Sequence, residues 1–188
     1  MRKTDEEIDR CHEHPLEVFK YCPRCGSSRW TVNNVKSKHC PDCGFTYYAN
    51  PSSATAAFIV RDGVDGEHEL LVVRRAKEPA KGTLDLPGGF VDMDEDDQQA
   101  ILREIREETG LEMRSCRFLF TIPNVYHYSG MDIHTLDMFY FCQPQQGAEP
   151  VANDDADDCQ WVKLSNLNPA DFGLTSIRQA VERFLKNS

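Results

Sequence analysis

After a polar start, the pattern of apolar and polar positions divides the chain into strands and helices. Residues 54–60 predict a strand, residues 62–66 with two glycines a hairpin turn, and residues 69–74 the returning strand. Residues 83–87 form a short strand that leads into Gly88. Ile101, Leu102 and Ile105 then recur at helical spacing and are expected to face a core. Gly110 stands where that helix needs a left-handed terminal residue. Residues 117–122 and 135–142 are rich in β-branched and aromatic side chains and predict two more strands. Residues 123–130 between them read as a loop. The acidic stretch 153–158 reads as a solvated loop running into a strand at 159–162. Thr175 is expected to cap a last helix over 176–186, with Ile177, Val181 and Leu185 on its inner side. Upstream, residues 30–32 and 45–48 look like short strands. Pro51 forces extended backbone before it and marks a boundary. The elements predict an α/β class and three segments: an arm at 1–20, a small module at 21–49 and a domain at 50–188.

Length and charge narrow the function classes. A chain of 188 residues has room for one ordinary domain plus a small module. No apolar run approaches the ~18 residues of a membrane span, and the charged start does not resemble a signal peptide. A net charge of −10 argues against binding nucleic acid over a broad surface. A small phosphorylated ligand remains compatible with it, because a bound cation inverts the local charge.

Eight cysteines would suit a disulfide scaffold, but four of them fall in two Cys-x-x-Cys pairs, Cys22/Cys25 and Cys40/Cys43, with fourteen residues between. Each pair can place two thiolates on one ion, and two pairs complete a closed tetrahedral site. So small a segment cannot bury a sufficient core, so a metal must supply folding energy. The segment resembles a zinc ribbon, and the expectation is one structural Zn²⁺ in a reducing, cytoplasmic setting. Cys11, Cys116, Cys142 and Cys159 are scattered and are expected to be ordinary small residues. Cys11, His12 and His14 sit in the arm, which is expected to pack on the ribbon.

The densest chemistry lies between Gly88 and Leu111. Glu104, Glu107 and Glu108 stand at i, i+3 and i+4, so three carboxylates share one helix face. Such crowding destabilises a bare helix, and hard divalent cations reverse that cost. Arg103 can reach back to Glu95 and tie the preceding loop to the helix. Gly88 and Gly89 permit a sharp bend and close approach. From Gly89 the residues follow G-x5-E-x7-R-E-U-x-E-E-x-G-U, with U aliphatic and every position filled.

This stretch resembles the signature box of the Nudix hydrolase family. The resemblance implies an α/β/α sandwich on a mixed sheet across residues 52–188. It implies that Glu104, Glu107, Glu108 and the Gly88 carbonyl bind Mg²⁺ or Mn²⁺, and that Glu95 and Arg103 orient the loop. It implies an enzyme that hydrolyses the pyrophosphate of a nucleoside diphosphate linked to another group. The proton acceptor is left open among Glu104, Glu107 and an Asp from 154–158. A Cys₄ ribbon before the box resembles the NADH pyrophosphatase group. That group's Ser-Gln-Pro-Trp-Pro-Phe-Pro-x-Ser motif is replaced here by Thr121-Ile122-Pro123-Asn124-Val125-Tyr126-His127-Tyr128-Ser129. The implied substrates are therefore the NADH, FAD or ADP-ribose class, with FAD and ADP-ribose open beside NADH. Arg74, Arg75 and Lys81 are candidates for holding the diphosphate, and Tyr126 and Tyr128 for stacking on a base. A homodimer is expected by family analogy. Two other functions compete: removal of aberrant nucleoside triphosphates, and a nucleotide-binding sensor whose ribbon docks protein or nucleic acid.

Overall fold

The computed structural model describes residues 14–151 and 156–187, with the side chains of 156 and 157 outside that description. Cys11, His12, Asp154 and Asp155 therefore lie outside the described residues, as does the Asp157 side chain. The chain forms two compact units. One holds the described residues before Ser52 together with Tyr126–Ile133, and the other holds Ser52–Val125 with the described residues from His134 onward.

In the first unit, β1 (Thr31–Asn34), β2 (Ser37–His39) and β3 (Thr46–Tyr48) form an antiparallel sheet in sequence order. The middle strand was not expected from the residues alone. Its Ser37 and Lys38 are buried polar side chains, which gives it no apolar signature. The apolar interior is small: Cys22, Trp30 and Cys40 are buried, with Cys43 and Phe45 packed against them. Residues 14–20 belong to this unit. Leu16 is buried, and His14 Nε2 meets the Asn34 carbonyl oxygen at 2.9 Å.

The second unit is built on a mixed sheet. Its strands are β4 (Ser52–Asp62), β5 (His68–Arg75), β6 (Leu84–Asp85), β7 (Met113–Tyr128) as far as Val125, β8 (Met131–Pro144) from His134, and β9 (Ala156–Lys163). They run in the order β6-β5-β4-β8-β7, and β9 pairs with β5. The β4–β8 pair is parallel, from Ser52↔Thr135 to Ile59↔Cys142, whereas β4–β5, β5–β6 and β5–β9 are antiparallel. Two helices complete it: α1 (Asp97–Thr109) and α2 (Thr175–Leu185). Alternate residues of β4 explain the layering, because successive strand side chains point to opposite faces. Ala57 and Ile59 join Leu71, Tyr140 and Cys142 beneath Ile101 and Ile105 of α1. Ala56 and Phe58 join Leu70, Val72 and Phe139 beneath Ile177, Ala180 and Val181 of α2. A sheet covered on both faces by helices is an α/β/α sandwich, and it accounts for the near-continuous apolar run at 54–60.

Three expectations are corrected. Residues 123–128 are not a loop but the far end of β7, and Ser129-Gly130 closes a hairpin into β8. Both turn residues are left-handed, with φ of 54° and 76°, which suits a tight two-residue connection. Leu102 is 37% exposed, while Ala100, Ile101, Ile105 and Thr109 are buried. One residue advances a helix by ~100°, so Leu102 rotates off the stripe that Ile101 occupies. Thr175 is the first residue of α2 rather than its cap; Leu174 precedes the helix and no side chain caps it. No described helix is long and apolar enough to cross a membrane.

Candidate active site

Helix α1 begins at a reciprocal cap. Asp96 Oδ1 accepts from the Gln99 N–H at 2.8 Å, and Gln99 Oε1 accepts from the Asp96 N–H at 2.9 Å. This satisfies two of the donors that a helix start leaves unpaired. Gly110, at φ 67°, ends the helix and donates its N–H to the Arg106 carbonyl.

The loop before α1 is seated on β4 by backbone bonds: Thr55 N to Gly89 O at 2.8 Å, Ala57 N to Pro87 O at 2.9 Å, and Val91 N to Ser53 O at 3.0 Å. This contact dictates the two glycines. Gly88 has φ 153°, and a Cβ there would overlap the Thr55 carbonyl oxygen. At Gly89 a Cβ would stand 2.5 Å from Glu104 Oε1, so the missing side chain gives the Glu104 carboxylate its place against the loop. Gly88→Ala should cost about 3 kcal/mol through strain and overlap together. Urea unfolding should show a lower midpoint at an unchanged slope, and a midpoint equal to the parent's would refute this packing.

Arg103 organises the carboxylates. Its Nε and Nη2 pair with the two Glu95 oxygens at 2.7 and 2.9 Å, and Nη2 also donates to the Phe90 carbonyl at 3.1 Å. Its Nη1 donates to Glu104 Oε1 at 2.9 Å and to Glu107 Oε2 at 3.1 Å. Glu95 in turn accepts from the Asp92 N–H at 3.1 Å. The planar fork can serve this many acceptors at once, which a lysine could not. Glu108 Oε2 accepts from the Gly88 N–H at 3.0 Å, binding the last carboxylate to the same loop. Hydrogen bonding from Arg103 holds the Glu95 carboxyl below its ordinary range. Burial pushes Glu104 upward, while Arg103 pulls it down and Glu107 pushes it up. One guanidinium against four carboxylates leaves a surplus of negative charge on this face. Oxygen-rich donors with surplus charge fit a hard divalent cation.

The basic candidates separate on inspection. Arg75 is only 16% exposed, forms an ion pair with Asp85, and donates to the Pro79 carbonyl at 2.8 Å. Arg74 donates to the Gly82 carbonyl at 2.6 Å. Both guanidiniums hold the 75–85 turn together rather than standing open for a ligand. Lys81 is exposed in the same turn. Tyr126 and Tyr128 stack on each other near the end of β7, with centroids 6.2 Å apart, and belong to the compact unit that contains the cysteines.

The cysteine pairs converge. The sulfurs of Cys22, Cys25, Cys40 and Cys43 all lie within 4.8 Å of one another. Cys22 Sγ is 3.7 Å from Cys43 Sγ, and Cys25 Sγ is 3.6 Å from Cys40 Sγ. Four thiolates at the usual zinc–sulfur distance of ~2.3 Å on a tetrahedron lie about 3.8 Å apart, so the set fits one tetrahedral ion.

One positioning contact has no sequence signal. Tyr140, fully buried on β8, donates its hydroxyl to the Asp97 carboxylate in the first turn of α1. Its partner is 43 residues away, and a buried tyrosine alone reads as core.

The sequence model of the NUDIX domain matches residues 52–184. The chain is 24% identical over 166 residues to the NAD-capped RNA hydrolase NudC of Pseudomonas aeruginosa, covering 88% of this chain and 55% of that protein. It therefore spans about half the length of such relatives. It is 30% identical over 125 residues to the ADP-ribose pyrophosphatase of Methanocaldococcus jannaschii, covering 65% of this chain and 68% of that one. The crystal structure of a NUDIX hydrolase from Nitrosomonas europaea aligns with a TM-score of 0.68 at 18% identity, over 89% of this chain and 91% of the other. At that identity the likeness is one of fold.

Proposed function

This chain belongs to the NUDIX family, and from that premise we propose that it hydrolyses the diphosphate bond of a dinucleotide-class substrate. The observation that carries the proposal is the clamp of Arg103 on Glu95, Glu104 and Glu107, with Glu108 bound to the Gly88 N–H. Glu104, Glu107, Glu108 and the Gly88 carbonyl would hold Mg²⁺ or Mn²⁺. Such ions, when bound, neutralise phosphoryl oxygens and make a water more acidic. The chain's own residues supply the rest. Arg103 sets the carboxylate positions before substrate arrives, so little reorganisation is needed during reaction. Glu107, 49% exposed, is better placed to take a proton from water than Glu104, 15% exposed. Lys81 would meet the substrate's negative charge. The four cysteines would hold a structural Zn²⁺, with no open position for chemistry.

The relatives named for NAD-capped RNA and for ADP-ribose support a substrate with an internal diphosphate over a triphosphate. The test is a panel of NADH, NAD, FAD, ADP-ribose, NAD-capped RNA and nucleoside triphosphates, with Mg²⁺ or Mn²⁺ in ¹⁸O-labelled water. The largest kcat/KM should fall on a molecule with an internal diphosphate, giving a monophosphate with one labelled oxygen. Preference for a triphosphate, with pyrophosphate released, would move the chain to the house-cleaning class. Tight binding without turnover of any member would favour the sensor.

A further inference from the structure

A cavity of about 730 Å³ opens in the second unit, away from the carboxylate helix. Its walls come from the β4–β5 turn, the start of β7, the chain that follows β8 and the end of α2. Neither Glu95 nor Arg103 nor any of the three α1 glutamates lines it. The separation follows from β4 itself. Gly88 abuts Thr55 and Ala56, whereas the cavity begins at Val60. Four to five residues of strand place them roughly 15 Å apart.

The charges on its walls are unevenly committed. Arg61 is occupied by Glu69 at 2.8 Å and Glu149 at 2.9 Å, and His68 by Asp62 at 2.9 Å. Among the described residues Arg114 and Arg117 have neutral partners only. Arg114 Nη2 donates to Gln143 Oε1 at 3.0 Å, and the Arg117 guanidinium lies over the Phe141 ring at 4.9 Å. Neither forms an ion pair among the described residues, in a chain whose net charge is −10. A guanidinium held by its face keeps its N–H edges for a ligand, and those edges match phosphate oxygens two at a time. Phe141 stacks with Phe184 at 6.4 Å and supplies an apolar wall. Gln145, Gln146 and Asn187 add amide donors and acceptors, and Glu69 and Glu149 line the cavity as the partners of Arg61.

We propose that this cavity is a second, non-catalytic site that binds a nucleoside monophosphate. The phosphate would sit on Arg114 and Arg117, with the base beside the Phe141 ring and bonded by the amides of Gln145, Gln146 and Asn187. The volume is that of a small-molecule site, and inorganic phosphate alone would leave the aromatic wall and the amides unused. The inference does not depend on the hydrolase reading.

Isothermal titration of the full chain with AMP, without added Mg²⁺ or Mn²⁺, tests it. AMP should bind at least about tenfold more tightly than adenosine or inorganic phosphate, because charge-assisted bonds and the base both contribute. The double variant Arg114→Ala/Arg117→Ala should lose at least about tenfold in AMP affinity, while Glu107→Gln should bind AMP as the parent does. Arg117→Lys, which keeps the charge and loses the fork, should fall between. Should the double variant fail to fold, Arg117→Lys and AMP-dependent hydrogen-exchange protection at residues 143–149 decide the matter. Absent AMP binding, AMP binding no better than adenosine, or affinity lost in Glu107→Gln but kept in the arginine variants would each overturn the site. None of these results touches the hydrolase proposal, which is read by turnover.

Discussion

Glu107→Gln is expected to lower kcat/KM on the best substrate of the panel by about 10²–10⁴, while stability stays within about 0.5 kcal/mol of the parent. The substitution is nearly isosteric and removes one negative charge from the α1 face. Its structural cost is small because Glu107 is half exposed and Arg103 keeps its bidentate pair with Glu95. Its catalytic cost is large because the carboxylate is a hard anionic ligand, whereas the amide oxygen is neutral. Arg103→Ala makes the informative contrast. It removes contacts to Glu95, Glu104, Glu107 and the Phe90 carbonyl at once, so both stability and turnover should fall. Near-parent turnover of Glu107→Gln in both Mg²⁺ and Mn²⁺ would end the assignment of Glu107 to the metal-binding and catalytic set.

Cys40→Ser should release the ribbon's ion and unfold residues 14–51, while the mixed-sheet unit keeps its far-ultraviolet signal. The warrant is the poverty of that unit's interior, which is little more than Trp30 and Phe45 packed on the cysteines. A structural zinc contributes roughly 10–16 kcal/mol of apparent binding free energy, far more than so few buried rings can replace. Elemental analysis should fall from about one zinc per chain to none. Trp30 should become accessible to a quencher, and limited proteolysis should trim the N-terminal unit. A variant that retains Trp30 protection, or a parent protein purified under reducing conditions without metal, would refute the assignment.

Some of this molecule was written locally. The apolar run at 54–60, the Gly110 stop and the i, i+3, i+4 glutamates depend on neighbours within one turn or one strand, so residue order alone determined them. The same holds for the cysteine pairs, whose short spacing places two thiolates side by side before any tertiary contact forms. Other features needed partners distant in the chain. Residues 123–128 carry no strong strand pattern because Pro123 and Asn124 are turn-type residues and the apolar Val125 and Tyr128 are exposed, and it is the Ser129-Gly130 hairpin that extends them along β8. The basic stretch at 74–81 looked available for phosphate until Asp85 and the turn carbonyls claimed both arginines. Gly88 and Gly89 looked like room for a ligand, whereas the packing shows them making room for β4 and for Glu104. Tyr140 on Asp97 is decided wholly by the stacking of helix on sheet. The residue order thus determined which groups stand on α1, and the tertiary structure decided how Arg103 shares its five donors among them, because only folding brings the 90–95 loop within reach of that helix.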